Sequence, residues 1–216
     1  PRVKAVAPIV IDVLNMRAHT PHHFAAYGFW APALHDYIKN GIAEKFGSPE
    51  LAKVIAHEDP AAYLPALTNT PKYIVTATGD EFFPTDSFRH YESLLTGEWH
   101  LRSVPNAGHN LKGSNAYAEL AAFYYNFVTH TPRPSLSWLL TSNNTLTITA
   151  STRPARVFIW SCENPKARDF RFDQTGAAWM SRELTPKDDT GLTYELPLEN
   201  PAQGYRATMV EFTFPP

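Results

Sequence analysis

KYIVTATGDEFFP, residues 72–84, decides how this chain is read. KYIVTA is a short apolar run rich in β-branched and aromatic residues, the pattern of a parallel strand buried on both faces. It stops at Thr78-Gly79-Asp80-Glu81, a loop. Thr85 reads as the N-cap of a helix whose apolar face is Phe88, Tyr91 and Leu95. Residues 100–104 (HLRSV) alternate as a further strand and enter a second loop, Pro105-Asn106-Ala107-Gly108-His109-Asn110. Beyond it Tyr117, Leu120, Ala121, Tyr124, Phe127 and Val128 recur at helical spacing. Strand, loop and helix repeated in this way predict a parallel α/β sheet. In such sheets the side chains that do chemistry sit in loops beyond the carboxyl ends of the strands.

The two loops carry an acid and a base in a telling order. α/β-Hydrolases arrange their catalytic groups along the chain as Ser, then Asp or Glu, then His. A neutral serine hydroxyl is a poor nucleophile and needs an imidazole to take its proton. A carboxylate on the other ring nitrogen fixes the tautomer and steadies the imidazolium. Asp80 is read as that carboxylate and His109 as the base, with Gly108 letting the backbone turn where the imidazole is presented. Glu81 is an adjacent acid; Asp80 is preferred because it directly follows the strand-terminal glycine. No Gly-x-Ser-x-Gly stretch occurs in the chain, and Ser48 and Ser114, which follow glycines, read as helix caps. The nucleophile and the oxyanion hole are therefore expected upstream.

Residues 3–14 (VKAVAPIVIDVL) form a near-continuous apolar run and read as another strand buried on both faces. Because so core-like a segment follows directly on Pro1, residue 1 is read as a cut site or a chosen boundary. Residues 15–66 lack strand runs. Ala33, Leu34, Tyr37, Ile38 and Ile42 fall at helical spacing, and Ser48-Pro49 and Asp59-Pro60 are helix starts. A helical insertion over about residues 15–70 follows. Thr131-Pro132-Arg133-Pro134-Ser135 breaks the pattern. Residues 145–150, 155–160, 192–198 and 205–214 then read as short strands separated by turns. The expected organisation is the C-terminal half of an α/β-hydrolase domain over residues 1–133, followed by a small antiparallel β-sandwich over 134–216.

Composition narrows the function classes. The 216 residues are 44% hydrophobic and 13% aromatic, enough for a packed core. A net charge of -2 and a pI near 6.6 leave no footprint for nucleic acid. No apolar run reaches a membrane-spanning length. The single cysteine, Cys162, cannot form an intrachain disulfide and reads as a buried small hydrophobe.

The remaining constellations are read as supporting structure. His19, His22 and His23 form H-x-x-H-H, but Thr20-Pro21 should interrupt the helix that would align them; they read as a polar wall rather than a metal site, and no cofactor is expected. His35-Asp36 and His57-Glu58-Asp59 read as solvated helix ends. Phe24, Tyr27, Phe29, Trp30 and Tyr37 suit a lid over a hydrolase site. Phe82 and Phe83 suit a pocket floor, so Phe82, Phe83, Tyr27 and Trp30 are the candidate substrate contacts. Trp138, Trp160 and Trp179 read as the core of the β-region. Asn143-Asn144-Thr145 matches a glycosylation sequon, a pattern common by chance.

The chain resembles the PhoPQ-activated pathogenicity-related protein family. The stretches that carry the resemblance are PRVKAVAPIVIDVLN, ALHDYIKNGI, GDEFFPTDS, VPNAGHNL, FIWSCEN, ARDFRF and YRATMVEF. It implies a secreted or periplasmic α/β-hydrolase with a C-terminal β-domain, and it puts Asp80 and His109 on the acid and base positions. It also implies a nucleophile shortly before Pro1, and commonly an Asp before that proline. Cleavage at an acid-labile Asp–Pro bond would leave an N-terminal fragment of the same precursor as partner. The expected function is a serine-type hydrolase of ester or amide bonds, peptide bonds among them, acting on a small ester or peptide. The rival reading is a catalytically silent binding or signalling protein, because some members resemble secreted regulators.

Overall fold

The computed structural model describes residues 2–215; Pro1, where a cut is expected, lies outside the described residues. The chain forms two compact units. One comprises Pro1–Ala116 together with Arg168–Ala177, the other Tyr117–Ala167 and Ala178–Pro216. The fold is mixed α/β, with one parallel strand pair and two antiparallel sheets.

In the first unit, the segment before Lys72 is helical: α1 (Met16–Tyr27), α2 (His35–Lys39) and α3 (Pro49–Glu58), with 3-10 turns at Pro32–Leu34, Ala43–Lys45 and Pro60–Leu67. α3 starts as its sequence predicts: Ser48 Oγ accepts the Leu51 N–H at 3.1 Å and Pro49 needs no donor. Asp59 caps the next turn through Ala61 N, at 2.9 Å, and also accepts the N–H groups of Asn15 and Met16 at 3.1 and 2.7 Å. This corrects its reading as solvated, because one buried carboxylate ties the starts of two helical segments. α1 runs through Pro21 without the expected interruption.

β1 (Lys72–Ala77) pairs in parallel with β2 (Trp99–Val104), from Lys72 opposite Trp99 to Ala77 opposite Val104. The Lys72 ammonium is buried at the start of β1, where it donates to the carbonyls of Leu67, Thr70 and Thr96. On the other side of β1 the chain around Val6 and Ile9 runs parallel as two isolated bridges, to Lys72 and Val75. The expected strand over residues 3–14 is thus reduced. Pro8 has no N–H to donate, and Val10 at φ +50° leaves the extended path. Val3 and Ile11 are exposed, so the segment is not buried on both faces.

The helix expected from Thr85 does not form. Short 3-10 turns at Ser87–His90 and Glu92–Leu94 stand in its place, interrupted at Tyr91 with φ −136°. The Thr85 hydroxyl donates to the Thr78 carbonyl rather than capping a helix. Phe88, Tyr91 and Leu95 still enter the core, with Leu14, Leu64 and Ile74. A second core joins Val75, Ala77, Val104, Ala107, Leu111 and Ala116.

α4 (Ala116–Val128) spans the predicted helix, but its buried positions are Ala116 and Phe123. Tyr117 is 68% exposed, and Tyr124 and Val128 also face outward, so the predicted stripe is rotated. The Arg133 guanidinium lies 5.7 and 5.8 Å from the ring centres of Phe123 and Phe127.

The second unit holds β3 (Leu136–Leu140), β4 (Thr145–Ala150), β5 (Arg156–Asn164), β6 (Met180–Glu183), β7 (Thr193–Pro197) and β8 (Tyr205–Thr213); between β5 and β6 the chain passes through Arg168–Ala177, which belongs to the first unit and carries the short α5 (Phe172–Thr175). β3, β4 and β7 form one antiparallel sheet; β6, β5 and β8 form the other. The Tyr194 ring of the first meets the Phe212 ring of the second edge-on at 5.3 Å. Trp179 and Cys162 are buried as expected, whereas Trp138 is 41% exposed and outside the core. Among the described residues no helix is long and apolar enough to cross a membrane.

Candidate active site

β1 and β2 end in register, so their two loops leave the same edge of the parallel pair. Backbone bonds lock the loops together: Thr78 N–H donates to Val104, Gly79 N–H to Ala107, and Asn106 N–H to the Thr78 hydroxyl. This brings Asp80 and His109, 29 residues apart, into contact. His109 Nδ1 lies 3.0 and 3.2 Å from the two carboxylate oxygens of Asp80.

Asp80 is only 3% exposed, and His109 is 34% exposed. Burial pushes the Asp80 carboxyl above the usual carboxylate range. The Phe82 N–H at 2.8 Å and the His109 ring oppose that push, and the Phe83 N–H at 3.3 Å adds to them. An ionised Asp80 only accepts, so Nδ1 carries the hydrogen and Nε2 is left as the basic nitrogen.

Glu81 is not the partner of the imidazole. Its carboxylate accepts the His109 backbone N–H at 2.7 Å. That contact also explains Gly108, because a Cβ there would stand 2.5 Å from Glu81 Oε1. Gly108 serves this close approach, and its φ is not left-handed. Phe82 and Phe83 flank the imidazole, with ring centres 4.5 and 6.1 Å away. Of the four candidate substrate contacts, these two meet His109. Tyr27 and Trp30 gather instead around His23, at 4.8 and 5.6 Å.

The three histidines of α1 go to separate partners. His22 Nε2 lies 2.8 Å from Asp86 Oδ1. His23 Nε2 accepts the Ala31 N–H at 3.1 Å. His19 Nε2 lies 2.8 Å from Ser87 Oγ, whose own proton goes to the Pro84 carbonyl at 2.6 Å. Ser87 is fully buried and its hydrogen is engaged, so this Ser–His contact is not a nucleophile and its base. Burial pushes the His19 imidazolium down to about 3 and that of His23 to about 4. Among the described residues no group of three or more His, Cys, Asp or Glu side chains is placed to hold a metal ion.

Several polar residues at this edge are not legible from sequence. Asp12, inside the apolar opening run, is buried and accepts a short hydrogen bond from the Tyr91 hydroxyl. Burial raises its pKa to about 7, the Tyr91 bond opposes this, and the charges of Asp80 and Asp86 add to it. A lone Asp in an apolar run was the available signal. The Arg168–Ala177 excursion supplies the rest. Arg168 pairs with Asp86, and buried Arg171 grips Asp169 through Nε and Nη2 at 2.9 and 2.6 Å. The Arg171 guanidinium also lies 5.2 and 5.3 Å from the ring centres of Tyr27 and Phe29.

Comparison with known proteins bears on the whole arrangement. The family model described as PhoPQ-activated pathogenicity-related protein matches residues 1–171. The chain belongs to that family. Within this PhoPQ-activated pathogenicity-related protein the match covers both loops and reaches Arg171. Autocrine proliferation repressor protein A of Dictyostelium discoideum is similar, at 34% identity over 233 aligned residues, covering 98% of this chain and 47% of that protein. The chain therefore spans about half the length of the curated relative it matches. No solved structure matches it.

Proposed function

We propose that this chain supplies the acid and base of a serine-type hydrolase acting on ester or amide bonds, peptide bonds included. The observation that carries the reading is the buried Asp80 carboxylate on His109 Nδ1, at the shared edge of two parallel strands. Strand order, loop position and the Asp-before-His order fit an α/β-hydrolase sheet. Residues 1–133 would be the C-terminal half of that domain and 134–216 an accessory β-region. The serine would come from an N-terminal fragment of the same precursor, in a secreted or periplasmic protein.

The steps assigned to this chain are proton transfers. His109 Nε2 takes the serine proton as the hydroxyl oxygen attacks the carbonyl carbon, and Asp80 steadies the imidazolium. The same nitrogen returns the proton to the departing alcohol or amine, leaving an acyl-serine. Water then attacks the acyl carbon, its proton passing through His109 to the serine oxygen. Phe82 and Phe83 provide the apolar wall beside the base. The test is p-nitrophenyl ester hydrolysis by the full-length protein. Turnover lost in His109→Ala supports the reading, and turnover unchanged by it overturns the role of His109.

A second reading has a specific observation behind it: the name of the relative, a proliferation repressor. On that reading the scaffold is kept for binding or signalling. It predicts a full-length protein with an intact Asp80–His109 pair and no turnover.

A further inference from the structure

We propose that the Arg168–Ala177 excursion is the positioning element of the Asp80–His109 pair, acting through the Phe172 N–H and the Arg171–Asp169 clamp. It deepens the hydrolase reading by naming what holds the acid loop in place. The chain leaves the second unit after Ala167, joins the first, and returns at Ala178. At its tip the Phe172 N–H donates to the Gly79 carbonyl at 2.8 Å, one residue before the acid. The approach is so close that a Cβ on Gly79 would stand 2.8 Å from Phe172 N. Gly79 therefore serves this contact with its missing side chain as well as with its carbonyl.

The tip is held from behind. Arg171 is buried, bonds Asp169 through two nitrogens, and lies against Tyr27 and Phe29. Bidentate guanidinium–carboxylate geometry fixes orientation as well as distance. Arg168, at the near end, pairs with Asp86, six residues beyond Asp80 on the same loop. The acid loop is thus gripped at Gly79 and at Asp86. Asp80 sits between the two anchors, and its carboxylate has to meet His109 within a hydrogen bond. Displacement of a catalytic group by about 1 Å lowers turnover about 100-fold.

One substitution breaks the contact. Phe172 is the first residue of α5 and Arg171 before it sits at φ −56°, ψ 144°, a backbone that accepts a following proline. Phe172→Pro removes the donated N–H; Phe172→Ala removes the same ring and keeps it. The readout is the far-downfield NMR resonance of the His109 Nδ1–H, measured in the full-length protein. The resonance should be present in the parent and in Phe172→Ala, and lost in Phe172→Pro. Ester turnover, where the parent has it, should be about 100-fold lower in Phe172→Pro than in Phe172→Ala, in kcat rather than KM. A resonance retained in Phe172→Pro, or absent from the parent, overturns the proposal. Should Phe172→Pro not fold, Arg171→Lys loses the bidentate grip while keeping the charge; an undiminished resonance there overturns it equally. A parent with the resonance and no turnover defeats the hydrolase reading alone, and the resonance still decides whether the excursion positions the pair.

Discussion

Asp80→Asn puts an amide where His109 Nδ1 now meets a carboxylate, removing the charge that steadies the imidazolium and favouring the wrong tautomer. The expected loss of turnover in the full-length protein is about 10⁴-fold, read as kcat on an ester substrate. Asp12 offers a residue-scale test of stability. Its folded pKa is raised to about 7 from 3.8. The folded protein keeps a proton that the unfolded chain has already released, so the stability this group contributes is full below pH 3.8 and is lost as pH rises to 7. The slope is at most about 1.4 kcal/mol per pH unit. Asp12→Asn should therefore gain stability over the parent between pH 4.5 and 7.5 by urea unfolding; a pH-independent difference contradicts the assignment. His19 and His23 act in the opposite sense. Their folded pKa values, about 3 and about 4, lie below 6.5, so their contribution is present above 6.5 and lost as pH falls. His19→Gln should flatten the acid side of the profile, measured the same way. Asp80 and His109 could be singled out because each lies in the loop that follows a strand. For Asp12 the lone acid in an apolar run was the only local signal, and its partner Tyr91, like the Arg168 partner of Asp86, lies far along the chain.

α3 is the element whose start is written most plainly in its residues. Ser48→Ala should cost about 1 kcal/mol, because Leu51 N–H loses its acceptor. An unchanged urea midpoint would show that the cap contributes nothing. β1, β2, β4, β5, β7 and β8 were legible for the same reason: apolar or alternating runs bounded by turn residues. β3 and β6 were not, since every residue in them is exposed and alternation carries no signal. The segment after Thr85 shows the other limit. Phe88, Tyr91 and Leu95 are correctly inside, yet periodicity cannot distinguish an α-helix from successive 3-10 turns. In α4 the tyrosines have polar ends that tolerate water, so their helical spacing misled the choice of face.

At the scale of the whole molecule, proximity along the chain misleads. The excursion lies between strands of the second unit in sequence and packs with the first, bringing Arg168 and Arg171 beside the acid loop. ARDFRF was recognisable as a stretch resembling its family, but nothing local tells that its Arg168 pairs with Asp86, 82 residues away. The chain covers about half of its curated relative, and the proposed hydrolase needs a serine from outside it. The most direct measurement is fluorophosphonate labelling of the folded full-length protein, read by intact mass and peptide mapping. One labelled serine is expected upstream of this chain, with labelling abolished in His109→Ala. Folded protein that takes no label, or labels equally in His109→Ala, would contradict it.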